Sequence, residues 1–205
     1  MSDTIVKTGT TTVALTTDDG VLLAADRRAS LGGRFVTNKA VQKVQGVHPT
    51  AALTMAGGVG DLQSYIRTLR AEASLYETRR GEPIDMAALS TLAGTLLREG
   101  PYRGAQPTLG GVDRTGPHVY DLDTAGGVME ADYHASGSGM QLAYGVLERE
   151  FEPNLPTNVA RRVAANAIES ATERDTASGN GLTVATVSAD GVEIRGYDAF
   201  SEVAA

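Results

Sequence analysis

The chain has 205 residues, 41% of them hydrophobic, a net charge of −7 and no cysteine. That length suits one domain with a sizeable core, and the composition is neither that of a disordered chain nor that of a membrane protein. The missing cysteine excludes disulfides, thiolate nucleophiles and Cys-based metal sites, the acidic balance argues against a nucleic-acid partner, and no apolar run approaches the ~20 residues that cross a bilayer.

The first nine residues, MSDTIVKTG, lack the long apolar centre of a secretory signal, so a cytoplasmic location is expected. Residues 11–27, TTVALTTDDGVLLAADR, place two strand-like runs around an Asp-Asp-Gly turn, a strong hairpin signal. Further strands are expected around 34–37, 41–47 and 50–56. From Leu62 the positions Ile66, Leu69, Ala73 and Tyr76 keep helical spacing until Gly81 ends the run. A second helix follows Asp85, with Met86, Leu89, Leu92 and Leu96 on one face and Gly100-Pro101 as its stop. Strands are expected at 107–112, 117–122 and 127–135, then helices over 140–151 and 157–173, with Thr157 as N-cap of the latter. Residues 182–197 repeat the opening design, LTVATV and VEIRGY around SADG. Strand groups and helix groups are segregated rather than alternating, which predicts an α+β fold. No linker divides the chain, so one domain is expected.

Chemistry is concentrated at the start. Gly9 is followed by Thr10, Thr11 and Thr12 and then by strand alternation. A threonine hydroxyl needs an adjacent base, and an N-terminal amine, with a reference pKa of ~7.7–8, can be that base. This works only if Thr10 begins the mature chain, after a cut behind Gly9. The same run is also what a threonine-rich edge strand looks like. Asp26 closes the second strand of the hairpin whose first strand Thr10 opens, so the turn brings the two together. Lys43, in AVQKVQGV, shares a strand face with Val41; if that face is inward the ammonium needs a carboxylate, and Asp26 is the natural one. A lysine is notable here because only Lys7, Lys39 and Lys43 occur. TMAGGVGD, 54–61, puts glycines where a strand meets a helix, a place where backbone N–H groups can bind an oxyanion. SGSGMQLAYG, 136–145, carries Ser138 in a similar turn but lacks any phosphate-loop spacing, and RDTASGNG, 174–181, carries Asp175 and Ser178. His48, His118 and His134 form no metal-spacing motif, and neither a metal nor another cofactor is expected.

These motifs stand in the order found in one family. The sequence resembles the β subunits of the 20S proteasome, most closely the archaeal kind, within the N-terminal-nucleophile hydrolases. The resemblance spans residues 9–200 and rests on G-TTTVA, DRRAS, VQKV, MAGG, LGGVD..GPH.Y, GSG...YGVLE and RD.ASGNG. It implies a four-layer αββα sandwich, a propeptide of residues 1–9 removed autocatalytically, and a mature domain of 10–205. It implies that Thr10 is nucleophile and, through its amine, base; that Asp26 and Lys43 orient and polarise it; that the Gly57 N–H is the oxyanion donor; and that Ser138, Asp175 and Ser178 hold the amine and its water. It further implies a threonine endopeptidase with a substrate pocket of Ala29, Met55 and Val59, chymotrypsin-like in preference. The implied partners are heptameric β rings stacked in pairs, α-type rings capping them, an unfolding ATPase, and unfolded polypeptides as substrates. Met140 stands where relatives often carry a further serine, and Gln42-Lys43 where many have two lysines. The competing readings are the two-component bacterial protease subunit of the same superfamily, a non-catalytic ring subunit, and an α+β binding module that is never processed.

Overall fold

The hairpin at the start of the chain forms as its turn demands: β1 (Thr11–Thr16) returns as β2 (Gly20–Asp26), and the Thr17 N–H closes the turn on the Gly20 carbonyl at 2.8 Å. The structure, a computed structural model, describes residues 9–204, so the expected propeptide lies outside the described residues except for Gly9. A small ribbon follows, β3 (Ala29–Leu31) with β4 (Phe35–Asn38), and then β5 (Val44–His48), β6 (Ala51–Thr54) and the two-residue β7 (Ala56–Gly57). Next come α1 (Val59–Arg80) and α2 (Met86–Glu99). The middle of the chain supplies β8 (Ala105–Gln106), β9 (Thr108–Asp113), β10 (Gly116–Leu122), β11 (Val128–Ala131) and β12 (Tyr133–Gly137). It ends with α3 (Met140–Glu150), α4 (Thr157–Thr172), β13 (Leu182–Ser188), β14 (Gly191–Tyr197) and a 3-10 turn at Phe200–Ala204. No helix among the described residues is long and apolar enough to cross a membrane.

Two five-stranded sheets result, in the orders β12-β1-β2-β13-β14 and β11-β10-β9-β6-β5, with antiparallel neighbours throughout. Strand alternation sorts the apolar side chains between layers. Val13 and Leu15 of β1 face α3 and α4, whereas Ala14 faces the other sheet. The inter-sheet layer is filled by Val21, Leu23 and Ala25 against Val44, Ala52, Val112 and Val119. Leu53 and Leu109 on the far face of the second sheet meet Leu62, Tyr65 and Leu89 from α1 and α2. On α4 the stripe Ala160, Val163, Ala164, Ala167 and Ile168 is buried, and its small residues let the helix lie close on β1 and β2. The order of layers is α, β, β, α, which is the expected sandwich.

Four local expectations change. The run 127–135 breaks at Asp132 and joins both sheets, β11 ending the second and β12 edging the first. The Asp132 carbonyl is held by the Thr16 N–H at 2.8 Å, which pins the crossover beside β1. The run 41–47 enters the ladder only at Val44, because the Val41 N–H is committed to the Arg27 carbonyl and the Lys43 carbonyl accepts from the Met55 N–H. The run 50–56 is likewise interrupted at Met55. Thr157 is not the N-cap of α4: Pro156 occupies that position, and the Thr157 hydroxyl instead donates to Asp19 Oδ1 at 2.6 Å, tying the helix to the β1–β2 turn.

At α2 the cap is of the usual kind, Asp85 accepting from the Ala88 N–H at 2.7 Å. Asp85→Ala is expected to lower stability by about 1 kcal/mol, seen as a lower urea midpoint with an unchanged slope. A midpoint equal to that of the parent would contradict the capping role.

Candidate active site

The β1–β2 register pairs Thr12 with Ala25, so Asp26 emerges level with Thr11 at the mouth of the hairpin. Asp26 is fully buried and its two oxygens accept four hydrogen bonds. Oδ1 takes the Thr11 N–H at 3.0 Å and the Lys43 ammonium at 2.7 Å; Oδ2 takes the Arg28 N–H at 2.9 Å and the Gly179 N–H at 3.0 Å. A buried carboxylate is tolerable when its lone pairs are filled in this way.

Lys43 points inward, although the strand itself begins only at Val44. Its Nζ reaches three oxygens: Asp26 Oδ1, Thr10 Oγ1 at 3.0 Å and the Gly9 carbonyl at 3.4 Å. Three donors thus meet three acceptors. Burial pushes the Lys43 pKa down from the usual lysine range, and the adjacent Asp26 charge opposes the fall.

Thr10 lies between these groups and a second network. Its hydroxyl donates to the Gly9 carbonyl at 2.7 Å while accepting from Lys43. Its backbone N–H donates to Ser138 Oγ at 3.1 Å, and the Ser138 hydroxyl donates to Asp175 Oδ2 at 2.6 Å. The Ser178 hydroxyl donates to the same oxygen at 2.7 Å and stands 2.8 Å from Thr11 Oγ1. Ser138 comes from the β12–α3 turn, and Asp175 and Ser178 from the α4–β13 connection, so two remote segments meet beside the Thr10 nitrogen. Met140 is the exposed first residue of α3, and the network closes without it.

Glycine at position 9 has a steric reason: a Cβ there would come within 1.8 Å of the Ala177 Cβ. Gly57 has both a steric and a conformational one. Its φ is 117°, and a Cβ would lie 1.7 Å from the Gly104 carbonyl oxygen. It is set there by pairing with Ala105 in the β7–β8 ribbon, two residues before α1 begins.

The expected pocket residues Ala29, Met55 and Val59 line one cavity together with Thr10, Lys43 and Gly57. Val41 and Leu62 complete its wall and were missed by sequence reasoning, although Val41 shares the Lys43 face and Leu62 the apolar stripe of α1. The Met55 N–H donates to the Lys43 carbonyl at 2.7 Å, so the pocket wall and the ammonium are built on one joint. A wider cleft beyond it is lined by Gly9, Gly57, Ser138 and Asp175 and by Arg103 and Gln106, which no sequence motif singled out.

The buried pair sets a stability expectation. Asp26→Asn removes the counter-charge of a buried ammonium and turns an amide group toward backbone donors, and should cost roughly 3 kcal/mol. Lys43→Met keeps the volume and leaves Asp26 three N–H donors, so it should cost less. Urea unfolding at one protomer concentration checks the order; the reverse order would contradict this account of the pair.

With that geometry in view, the comparisons with known proteins are specific. A family model described as proteasome subunit matches residues 6–187. The protein called proteasome subunit beta 2 of Haloterrigena turkmenica is 61% identical over 201 residues, covering 98% of this chain and 85% of that one. Proteasome subunit beta of Natrialba magadii is 61% identical over 98% of this chain and 83% of its own length, and that of Halorhabdus utahensis is 59% identical over 96% and 84%. The chain therefore belongs to the proteasome subunit family, and within it to the archaeal β type.

Proposed function

We propose that this chain is the precursor of a catalytic β subunit of the 20S core particle, a threonine endopeptidase whose nucleophile is Thr10. The observation that carries this reading is the buried contact of Lys43 Nζ with both Asp26 Oδ1, at 2.7 Å, and Thr10 Oγ1, at 3.0 Å. A non-catalytic ring subunit would have no use for a desolvated ammonium aimed at a hydroxyl.

Residues 1–9 act as a propeptide, and residues 10–205 are the mature domain. While Gly9 is attached, the Thr10 nitrogen is an amide and cannot accept a proton. Thr10 Oγ1 already stands beside the Gly9 carbonyl group, 2.7 Å from its oxygen, and attacks that carbonyl carbon. The acyl group moves from nitrogen to oxygen, and water hydrolyses the ester, leaving the Gly9 carboxylate and a free Thr10 amine. In turnover the amine takes the hydroxyl proton as Oγ attacks a peptide carbonyl. The proton passes to the leaving amine, and water then cleaves the acyl-threonine. Lys43 stabilises negative charge on Oγ, the Gly57 N–H receives the oxyanion, and Ser138, Asp175 and Ser178 orient the amine and its water. Asp26 holds Lys43 in place.

Ala29, Val41, Met55, Val59 and Leu62 make the pocket wall apolar. Among the described residues that line it, the paired Lys43 carries the one charge. An unpaired charge buried there is costly, so the side chain before the cut is large and hydrophobic. The subunit works in stacked seven-membered β rings capped by α-type rings, in the cytoplasm, on unfolded polypeptides delivered by an unfolding ATPase.

Thr10→Ala should give assembled particles whose β chain keeps residues 1–9 by mass; cleavage after Gly9 in a pure preparation of that variant would refute self-processing. Lys43→Ala is expected to lower kcat at least about 100-fold on a short fluorogenic peptide, and near-normal turnover would remove it from the chemistry. Peptides ending in Tyr or Leu before the reporter should be cut faster than those ending in Arg or Glu. A preference for Arg or Glu would overturn the pocket assignment.

A further inference from the structure

The strand pair that carries Gly57 has a break in it. The β6–β9 ladder ends at Leu53 opposite Leu109, and pairing resumes at Ala56 opposite Gln106. Between them stand Thr54 and Met55 on one strand and Pro107 and Thr108 on the other. Proline has no N–H to give a ladder, so the two halves are not joined by regular pairing at this point. Thr108 supplies the joint instead. Its N–H donates to Thr54 Oγ1 at 3.3 Å, and its own Oγ1 lies 2.8 Å from His134 Nδ1. His134 belongs to β12, in the other sheet. Thr54 and Thr108 are buried, so their bond forms in a dry setting, and removing His134 leaves the Thr108 hydroxyl without its partner at a cost.

The role of each His134 nitrogen follows from its surroundings. Asp121 Oδ1, on β10, is 3.4 Å from Nε2. A carboxylate there draws the ring proton to Nε2 and leaves the Nδ1 lone pair to accept the Thr108 hydroxyl. Burial holds the His134 pKa down, against the pull of Asp121. The Tyr144 ring covers the imidazole edge-on at 6.1 Å. His134 thus ties the edge of the first sheet to the hinge of a ribbon whose far end is Gly57.

We infer that His134 is a positioning residue: acting through Thr108, it sets how the β7–β8 ribbon presents Gly57 to Thr10. This rests on the peptidase reading of Thr10, and it adds a residue 124 positions away that touches neither substrate nor nucleophile. A shift of the oxyanion donor weakens an interaction made in the transition state more than in the bound substrate, so the loss falls on kcat and not on KM.

The test uses processed, assembled particles and a tyrosine-ending fluorogenic peptide. Thr108→Val removes only the hydroxyl. His134→Leu removes the acceptor, whereas His134→Asn places an amide oxygen near the position of Nδ1. Thr108→Val and His134→Leu should each lower kcat by about ten-fold with KM within two-fold, the double variant should be no worse than either single one, and His134→Asn should recover most of kcat. A kcat within two-fold of the parent in Thr108→Val, a loss confined to KM, or a His134→Asn variant as poor as His134→Leu overturns the inference. If His134→Leu fails to assemble, Thr108→Val and His134→Asn decide it. Thr10→Ala runs alongside: activity there would sink the peptidase reading itself, and inactivity there with unaffected Thr108→Val would sink only the role of His134.

Discussion

The buried ion pair of Asp26 and Lys43 is the constraint on which the site is built. A carboxylate wholly out of water can stay charged only if its oxygens are saturated, and Asp26 draws its donors from four places: Thr11, Arg28, Lys43 and Gly179. Thr11 opens β1, Arg28 lies between β2 and β3, Gly179 lies in the connection from α4 to β13, and Lys43 immediately precedes β5. Satisfying one acid therefore fixes the backbone around the end of the sandwich. The same arrangement spends one ammonium proton on Thr10 Oγ1, so the structural pair and the Thr10 hydroxyl share one lysine. Such a pair contributes little net stability by itself; what it supplies is a single geometry.

The layer between the sheets is divided accordingly. Toward β13 and β5 it is apolar, filled by Val21, Leu23, Val44 and Val187. Toward β12 the facing positions carry hydroxyls and an imidazole: Thr12 is paired with Ser136, Ala14 with His134, and Thr108 reaches across to His134. The apolar part holds the sheets together without direction, and the polar part sets their register where register matters to the site. Two glycines mark the closest approaches. Gly9 passes Ala177, and Gly57 passes Gly104, each with no room for a side-chain carbon.

The remaining histidines, His48 and His118, are accounted for by local packing and pairing. His48 joins Glu77 at 2.9 Å, linking β5 to α1, and His118 lies between Asp113 and Glu130 beside a stacked Tyr120. Among the described residues no cluster of His, Cys, Asp and Glu is suited to hold a metal ion. The second, Asp175-centred network is of a different kind, because it comes from turns instead of strands. It joins the β12–α3 and α4–β13 connections, which approach each other because α3 and α4 pack as a pair on the first sheet.

By itself the sequence determined what is local. The Asp-Asp-Gly turn made the hairpin and with it the nearness of Asp26 to the Thr10–Thr11 end of β1; the 3.6-residue spacing made α1 and α2; and the segregation of strands from helices made the α+β class legible. The pairing of Lys43 with Asp26 was readable on the condition that Lys43 faces inward, because a buried ammonium must find an acid. The tertiary structure alone decided partners that lie far apart in the chain. Alternation states that a residue faces one side of a sheet but not which sheet it joins, so the division of 127–135 between two sheets could not be read. A cap depends on the backbone angles before a helix, so Thr157 and Pro156 could not be ranked from residue type. Hydrogen-bond partners are chosen by whichever groups the packed layers bring within 3 Å. That is why the convergence of Ser138, Asp175 and Ser178 on Thr10 could be expected only from the family resemblance, and why the tie from His134 to Thr108 could not be foreseen at all.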